Sequence, residues 1–193
     1  MKKWLVVIII AVIAGFTLMT SYNGLVKAEE EIDSVWANVE SSYQRRADLI
    51  PNLVNTVKGQ ANFEKETLTQ VIEARSKAIQ TKIDPTNMTE AQLAEFQQNQ
   101  NSVGSALSRL LVTVEKYPEL KAHEGFMNLQ AQLEGTENRI NVARNQFNDA
   151  ARIYNQKVRT FPTKLAALIF GFKDKPYFKS AAGSENAPVV NFN

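Results

Sequence analysis

The chain has 193 residues, 44% of them hydrophobic and 22% charged, which suits one ordinary domain with a packed core rather than two. It has no cysteine and a single histidine, His123. That excludes disulfides, thiolate catalysis and a lipid-modified N-terminal cysteine, and leaves any metal site dependent on carboxylates. The net charge of +2 is matched by Lys2 and Lys3 alone, so the rest of the chain is neutral and offers no electrostatic footprint for nucleic acid.

Residues 4–26, WLVVIIIAVIAGFTLMTSYNGLV, carry no formal charge, and Trp4 and Tyr22 stand near the two ends as interfacial aromatic anchors would. The competing reading is a cleaved signal peptide, which would need a shorter apolar region and a small-residue cleavage site; no such site follows Met19. An uncleaved transmembrane anchor over 1–27 is the expectation. Lys2 and Lys3 against Lys27 alone put the N-terminus in the cytoplasm and the C-terminal domain outside it.

Beyond the anchor the apolar spacing is helical. Ile32, Trp36, Val39, Tyr43, Ala47, Ile50, Val54 and Val57 step by threes and fours, and the stripe resumes weakly through Leu68, Val71, Ile72 and Ile79 before the turn signal IDPTN at 83–87. Read as one helix, residues 28–81 span about 80 Å. Thr89 with Gln92 forms a capping-box pattern that opens a second helix, whose seam is Leu93, Phe96, Gln100, Val103, Leu107, Leu110, Val114 and Tyr117, with Gln100 its polar member. A third stripe runs from Phe126 through Leu133, Ile140, Phe147 and Tyr154 to Phe161, and Pro162 stops it. No segment alternates with period two over a useful length. The fold class is all-α: an N-terminal transmembrane helix, then over 28–172 an elongated antiparallel bundle of three long helices plus a short C-terminal helix, then an extended tail over 173–193. The short helix at Pro162–Phe172 is apolar enough to cap the bundle or to serve as an interaction surface, and Ala187–Asn193 reads either as an edge strand for another chain or as a disordered terminus.

One segment breaks the pattern. In YQRRADLIPNLVNTVKG, Pro51 removes a helical donor and crowds the carbonyl of Ala47, so a kink or short break is expected near 47–51, with Ile50 pushed out of helical geometry. Arg45 and Arg46 are the nearby donors for the freed carbonyl, and Asp48 can pair with an arginine. Glu137, Asn138, Arg139 and Arg144 mark the matching positions of the third long helix. The group reads as a ligand or partner site built at a helix break, or as a buried polar layer that sets register.

RRADLIPNLVNTVKG at 45–59, with VIEARSKA at 71–78, resembles the signature of the LemA family of bacterial membrane proteins. So do SRLLVTVEKYPELKA at 108–122, GTENRINVARNQFNDAARIYNQKVRTFP at 135–162, LIFGF at 168–172 and the closing PVVNF, and YNGLV after the anchor. Gln60 and Phe63 stand where relatives often have an aromatic residue and a histidine. The resemblance implies a single-pass protein of the bacterial inner membrane with a long helical bundle and no established biochemical activity. One class of relatives is associated with building magnetosome membrane organelles, which implies membrane-organising work.

No catalytic, cofactor or metal set emerges from the residues. His123 sits in the turn before the third long helix, as a solvated residue or a helix-start contact. Neither a nucleophile elbow nor a phosphate loop is present, and Trp36, Phe96, Phe126, Phe147 and Tyr154 lie on apolar stripes as core. The expected function is a non-enzymatic, membrane-anchored scaffold that self-assembles as a homo-oligomer and bears on membrane or envelope organisation. The alternative is an accessory subunit of a membrane protease, transporter or envelope enzyme. An enzyme working through carboxylates alone is a distant third.

Overall fold

The computed structural model describes residues 2–59 and 63–179. Among them every regular element is a helix: α1 (Lys2–Lys58), α2 (Lys65–Gln80), α3 (Glu90–Val114), α4 (Pro118–Lys121), α5 (Glu124–Arg159) and α6 (Thr163–Phe170). The expected edge strand in the final PVVNF lies outside the described residues.

α1 is one unbroken helix of 57 residues, about 86 Å at the α-helical rise. Its first third contains an apolar stretch that is long enough to cross a membrane and has no residue buried in the bundle. From Leu25 onward the same helix turns a buried stripe to the bundle: Leu25, Ala28, Ile32, Trp36, Val39, Tyr43, Ile50, Leu53 and Val57. α5 runs antiparallel to it. Lys157 Nζ donates to the carbonyl of Gly24 at 3.2 Å, Arg46 meets Glu137 midway, and Leu53 and Val57 share a core with Phe126.

Two expectations fail here. The stretch 28–81 is not one helix; α1 ends at Lys58 beside Gly59, and α2 doubles back. Its direction is marked by Lys116 on Glu64 at 3.2 Å at one end and Asn99 on Thr81 at 2.8 Å at the other, an antiparallel pairing of α2 with α3. The weak continuation of the stripe is the reason. Leu68, Val71 and Ala78 are buried while Ile72 and Ile79 stay exposed, so α2 has its own apolar face and covers the core as a fourth column rather than prolonging the first helix. The second failure is the short break at Pro51, with Ile50 out of helical geometry, that stood as one of the two outcomes expected there. The helix continues through it, with Ile50 helical and 1% exposed. The carbonyl that proline orphans, on Ala47, accepts the Arg75 Nε of α2 at 2.7 Å, and neither Arg45 nor Arg46 serves it. A donor from a neighbouring helix replaces the missing backbone bond, which removes the polar cost of proline in a helix interior.

Thr89 forms the expected capping box, its hydroxyl accepting from Gln92 N while the Gln92 side chain accepts from Thr89 N. His123 is the N-cap of α5, its Nδ1 accepting from Gly125 N at 3.1 Å. A side chain at 125 would meet the imidazole at 3.0 Å, so glycine suits that close approach.

Removing the Arg75 guanidinium strands the Ala47 carbonyl. Arg75→Met should therefore lower stability by about 1–3 kcal/mol. In a Pro51→Ala background the regained backbone donor takes that carbonyl, and the cost of Arg75→Met should shrink. A double-mutant cycle by urea unfolding measures the coupling. Equal costs in both backgrounds would place the role of Arg75 elsewhere.

Candidate functional site

The interior is two apolar cores with a polar layer between them. One core gathers Ile32, Trp36, Tyr43, Phe96, Ile140, Phe147, Tyr154 and Phe178; the other gathers Ile50, Leu53, Val57, Val71, Val103, Leu110, Phe126 and Leu133. On each long helix the residue at the boundary is polar: Arg46 on α1, Gln100 on α3, Glu137 on α5. Arg46 is 4% exposed. Its guanidinium donates to Glu137 Oε2 at 3.0 Å, to the Gln100 carbonyl at 2.8 Å and to Gln100 Oε1 at 2.8 Å, and lies 5.1 Å from the centre of the Tyr43 ring. A charge taken out of water is tolerable only when its donors are filled and a counter-charge is near, and this layer meets both conditions with residues from three helices. Burial pushes the Tyr43 phenol above its ordinary pKa, with Arg144 and Arg46 opposing the shift.

The residues singled out in the sequence divide cleanly. Arg46 and Glu137 form the layer. Arg45 and Asp48 are exposed, and Asp48 accepts from Gln44 at 2.7 Å rather than pairing with an arginine. Asn138 and Arg139 are exposed on α5, and Arg139 reaches only Thr136, at 3.5 Å. Pro51 faces solvent. Arg144 joins the layer to a second site: it acts on Tyr43, lies 5.0 Å from the Phe178 ring centre and donates to the Lys179 carbonyl at 2.9 Å. A groove of about 610 Å³ runs beside the layer, lined by Tyr43, Arg46, Ala47, Arg75, Phe96 and Gln100 among others. Gln100 was legible as the polar member of an apolar seam. Arg75 gave no signal beyond its place in the VIEARSKA motif.

The second polar site involves residues the sequence did not mark. Residues 172–179 run extended across α1, α3 and α5, and three side-chain amides clasp their backbone as a β-strand partner would. Asn155 donates to the Lys175 carbonyl and accepts from Lys175 N, both at 2.8 Å. Asn148 does the same for Phe178 at 3.0 and 2.8 Å, and Gln97 for Lys179 at 2.7 and 3.3 Å. Phe178 then enters a cage of Trp36, Phe96 and Phe147 rings. Lys175, 5% exposed, donates to the carbonyls of Pro85 and Thr86 and pairs with Glu29 at 3.0 Å. Beside it, Asp33 Oδ1, Trp36 Nε1 and Tyr154 OH are buried without a protein hydrogen-bond partner. Burial raises the Asp33 carboxyl pKa; Lys175 opposes the shift, and Glu29, Glu30 and Asp84 add to it. The Tyr154 hydroxyl is pushed up by burial first and by Glu29 and Asp174 after it. Among the described residues no three histidine, aspartate or glutamate side chains converge as a metal set.

The LemA family profile matches residues 35–192, more than three-quarters of the chain, including Arg46, Gln100 and Glu137 of the first site and the clasped segment of the second, but not Glu29 or Asp33. The chain belongs to the LemA family. Its similarity to Magnetosome protein MamQ 2 of Paramagnetospirillum magneticum is 26% identity over 96% of this chain and 75% of that protein. It is 27% identical to Magnetosome protein MamQ of Magnetospirillum gryphiswaldense over 90% of this chain and 70% of that one. Protein LemA of Metamycoplasma hominis is 25% identical over 79% of this chain and 66% of its own length.

Two outcomes follow for this LemA-family chain. Arg46→Ala leaves the buried Gln100 Oε1 without its donor and Glu137 without its counter-charge, and should cost about 1–3 kcal/mol in chemical denaturation. Asp33→Asn should act with a pH dependence. A raised carboxyl pKa means that the folded state holds this proton more tightly than the unfolded chain, so ionised Asp33 subtracts stability as pH rises through and above the raised value, and subtracts none where both states are protonated. Thermal melts should show Asp33→Asn more stable than the parent at neutral pH, with the gain vanishing toward strongly acid pH. A gain independent of pH would point away from ionisation as the cause.

Proposed function

We propose that this protein is a non-enzymatic, membrane-anchored helical scaffold that self-assembles laterally and organises a membrane or envelope region. The single observation that carries this reading is the continuity of α1. The helix that supplies the apolar span also supplies the central column of the bundle, with no linker between Lys2 and Lys58. A flexible tether would let a catalytic domain sample its surroundings; a continuous helix holds the bundle at a set height and angle to the bilayer, which serves architecture. Relatives in Paramagnetospirillum magneticum and Magnetospirillum gryphiswaldense are named magnetosome proteins, and the membrane-organising reading extends that association to this chain by analogy. The charge bias of the anchor sets the N-terminus in the cytoplasm and the bundle outside it.

The chain covers the stripe of α1 by itself from Leu25 to Val57, so lateral association falls to other surfaces. The outer face of α5 carries Val142 and Ile153, three helical turns apart and 55% and 48% exposed. Confinement by the anchor raises the effective concentration of copies, so weak contacts suffice.

Light scattering of the detergent-solubilised full chain at micromolar concentration tests the proposal. The expected mass is a multiple of the 21.6 kDa protomer, falling to the protomer mass for the Val142→Glu, Ile153→Glu double variant. A single protomer mass for the parent chain would reject self-assembly and favour the accessory-subunit reading, in which the same surface binds a membrane protease, transporter or envelope enzyme.

A further inference from the structure

We propose that α6, with Phe161 before it, is an interfacial foot that sinks into the bilayer leaflet adjoining the C-terminal end of the transmembrane span. The proposal rests on the anchor reading of α1 and does not depend on self-assembly. A surface helix of a water-soluble bundle turns its large apolar side chains inward. α6 does the reverse. Its inward residues are the small Ala166 and Ala167, 0% and 2% exposed, packed with Leu25. Its outward residues are Leu165, Leu168, Ile169 and Phe170, at 48%, 71%, 64% and 53% exposure, and Phe161 beside them is 78% exposed. A contiguous apolar patch of this kind marks an interaction surface.

What covers the patch follows from its height on α1. Tyr22 is 4.7 Å from the Phe170 ring centre and 5.8 Å from that of Phe172, and Leu18 packs on the same cluster. From Trp4 to Tyr22 the helix climbs about 27 Å, against a hydrocarbon thickness of about 30 Å. Tyr22 and Leu18 therefore stand at the edge of the hydrocarbon, and α6, held against them, lies at the boundary between acyl chains and headgroups. The apolar surface of the span runs without interruption onto that of α6. Charge fits as well. Arg152 and Arg159 are paired with Asp149 and Asp174, while Lys164 and Lys173 at the two ends of α6 are in no ion pair among the described residues and can face lipid phosphates. An element resting at this depth buries its apolar side roughly 5–10 Å into the interface. With α1 it gives each protomer two points of contact with the bilayer, which fixes rotation of the bundle about the span.

The absence of cysteine makes the test direct. Single-cysteine variants Leu168→Cys, Ile169→Cys and Phe161→Cys of the full chain, spin-labelled and reconstituted in phosphatidylcholine–phosphatidylglycerol vesicles, are compared with Val112→Cys. Val112 is an exposed apolar residue of α3 far from the span, 69% exposed. Collision with oxygen relative to a water-soluble nickel chelate should be several-fold higher at 161, 168 and 169 than at 112. Ratios equal to that at 112 would overturn the proposal. Protection from both reagents, with dipolar broadening between labels, would also overturn it and assign the patch to a second copy. Three labelled positions guard against one substitution disturbing the fold, and unchanged helical circular dichroism certifies each variant. None of these readouts depends on the oligomer mass, so failure here and failure of the scaffold reading are separable.

Discussion

The structure depends on a buried guanidinium. Arg46 stands between two apolar cores, where a cation without partners would cost several kcal/mol, a large part of a protein's usual margin of stability. It is tolerated because α3 and α5 present Gln100 and Glu137 at its level. This is a constraint on register. Sliding α3 or α5 by one turn against α1 would keep apolar residues opposite one another but would leave the arginine without its acceptors. Aromatic and aliphatic side chains are interchangeable in packing to a fair degree; this set of donors and acceptors is not. The layer thus selects one alignment among several that the apolar stripes alone would permit.

The proline near this layer works in the same direction. Its missing donor is replaced by Arg75 across the α1–α2 contact, so a local fault in one helix becomes a specific bond between two. The amide clasps of Asn155, Asn148 and Gln97 extend the logic to residues that have no regular structure of their own. They give the extended segment its hydrogen bonds side chain by side chain and bring Phe178 and Lys175 into the core. Each device gives a hydrogen bond to a backbone group that has no helical partner, and each ties together parts of the chain remote in sequence.

These devices have a mechanical consequence. Because α1 passes from the apolar span into the bundle without interruption, and because α5, α6 and the clasped segment all pack on it from Leu18 onward, the bundle and its anchor form one continuous packed body. An architectural role follows more naturally from that body than one requiring the domain to roam.

The sequence by itself determined the all-helical class, the apolar span, the capping box at Thr89, the seam of α3 and the aromatic core from Trp36 to Tyr154. All of these are local, set by the 3.6-residue period, by side-chain size and by cap chemistry within a few residues. Arg46 and Glu137 were legible as charges placed on helices that must meet, and Gln100 as a polar residue in an apolar seam. Tertiary structure alone decided the rest. Whether Pro51 would break its helix depended on a donor supplied by Arg75 from another helix, and Pro51 carries no mark of that donor. Whether residues 65–80 would prolong α1 or fold back depended on which core their short apolar face could cover. The inclusion of Lys175 and Phe178 in the interior depended on amides that α3 and α5 align only once folded. Periodicity records what one helix needs to bury; it does not record which remote group will satisfy an orphaned carbonyl or a buried charge, because that pairing exists only when the helices are packed.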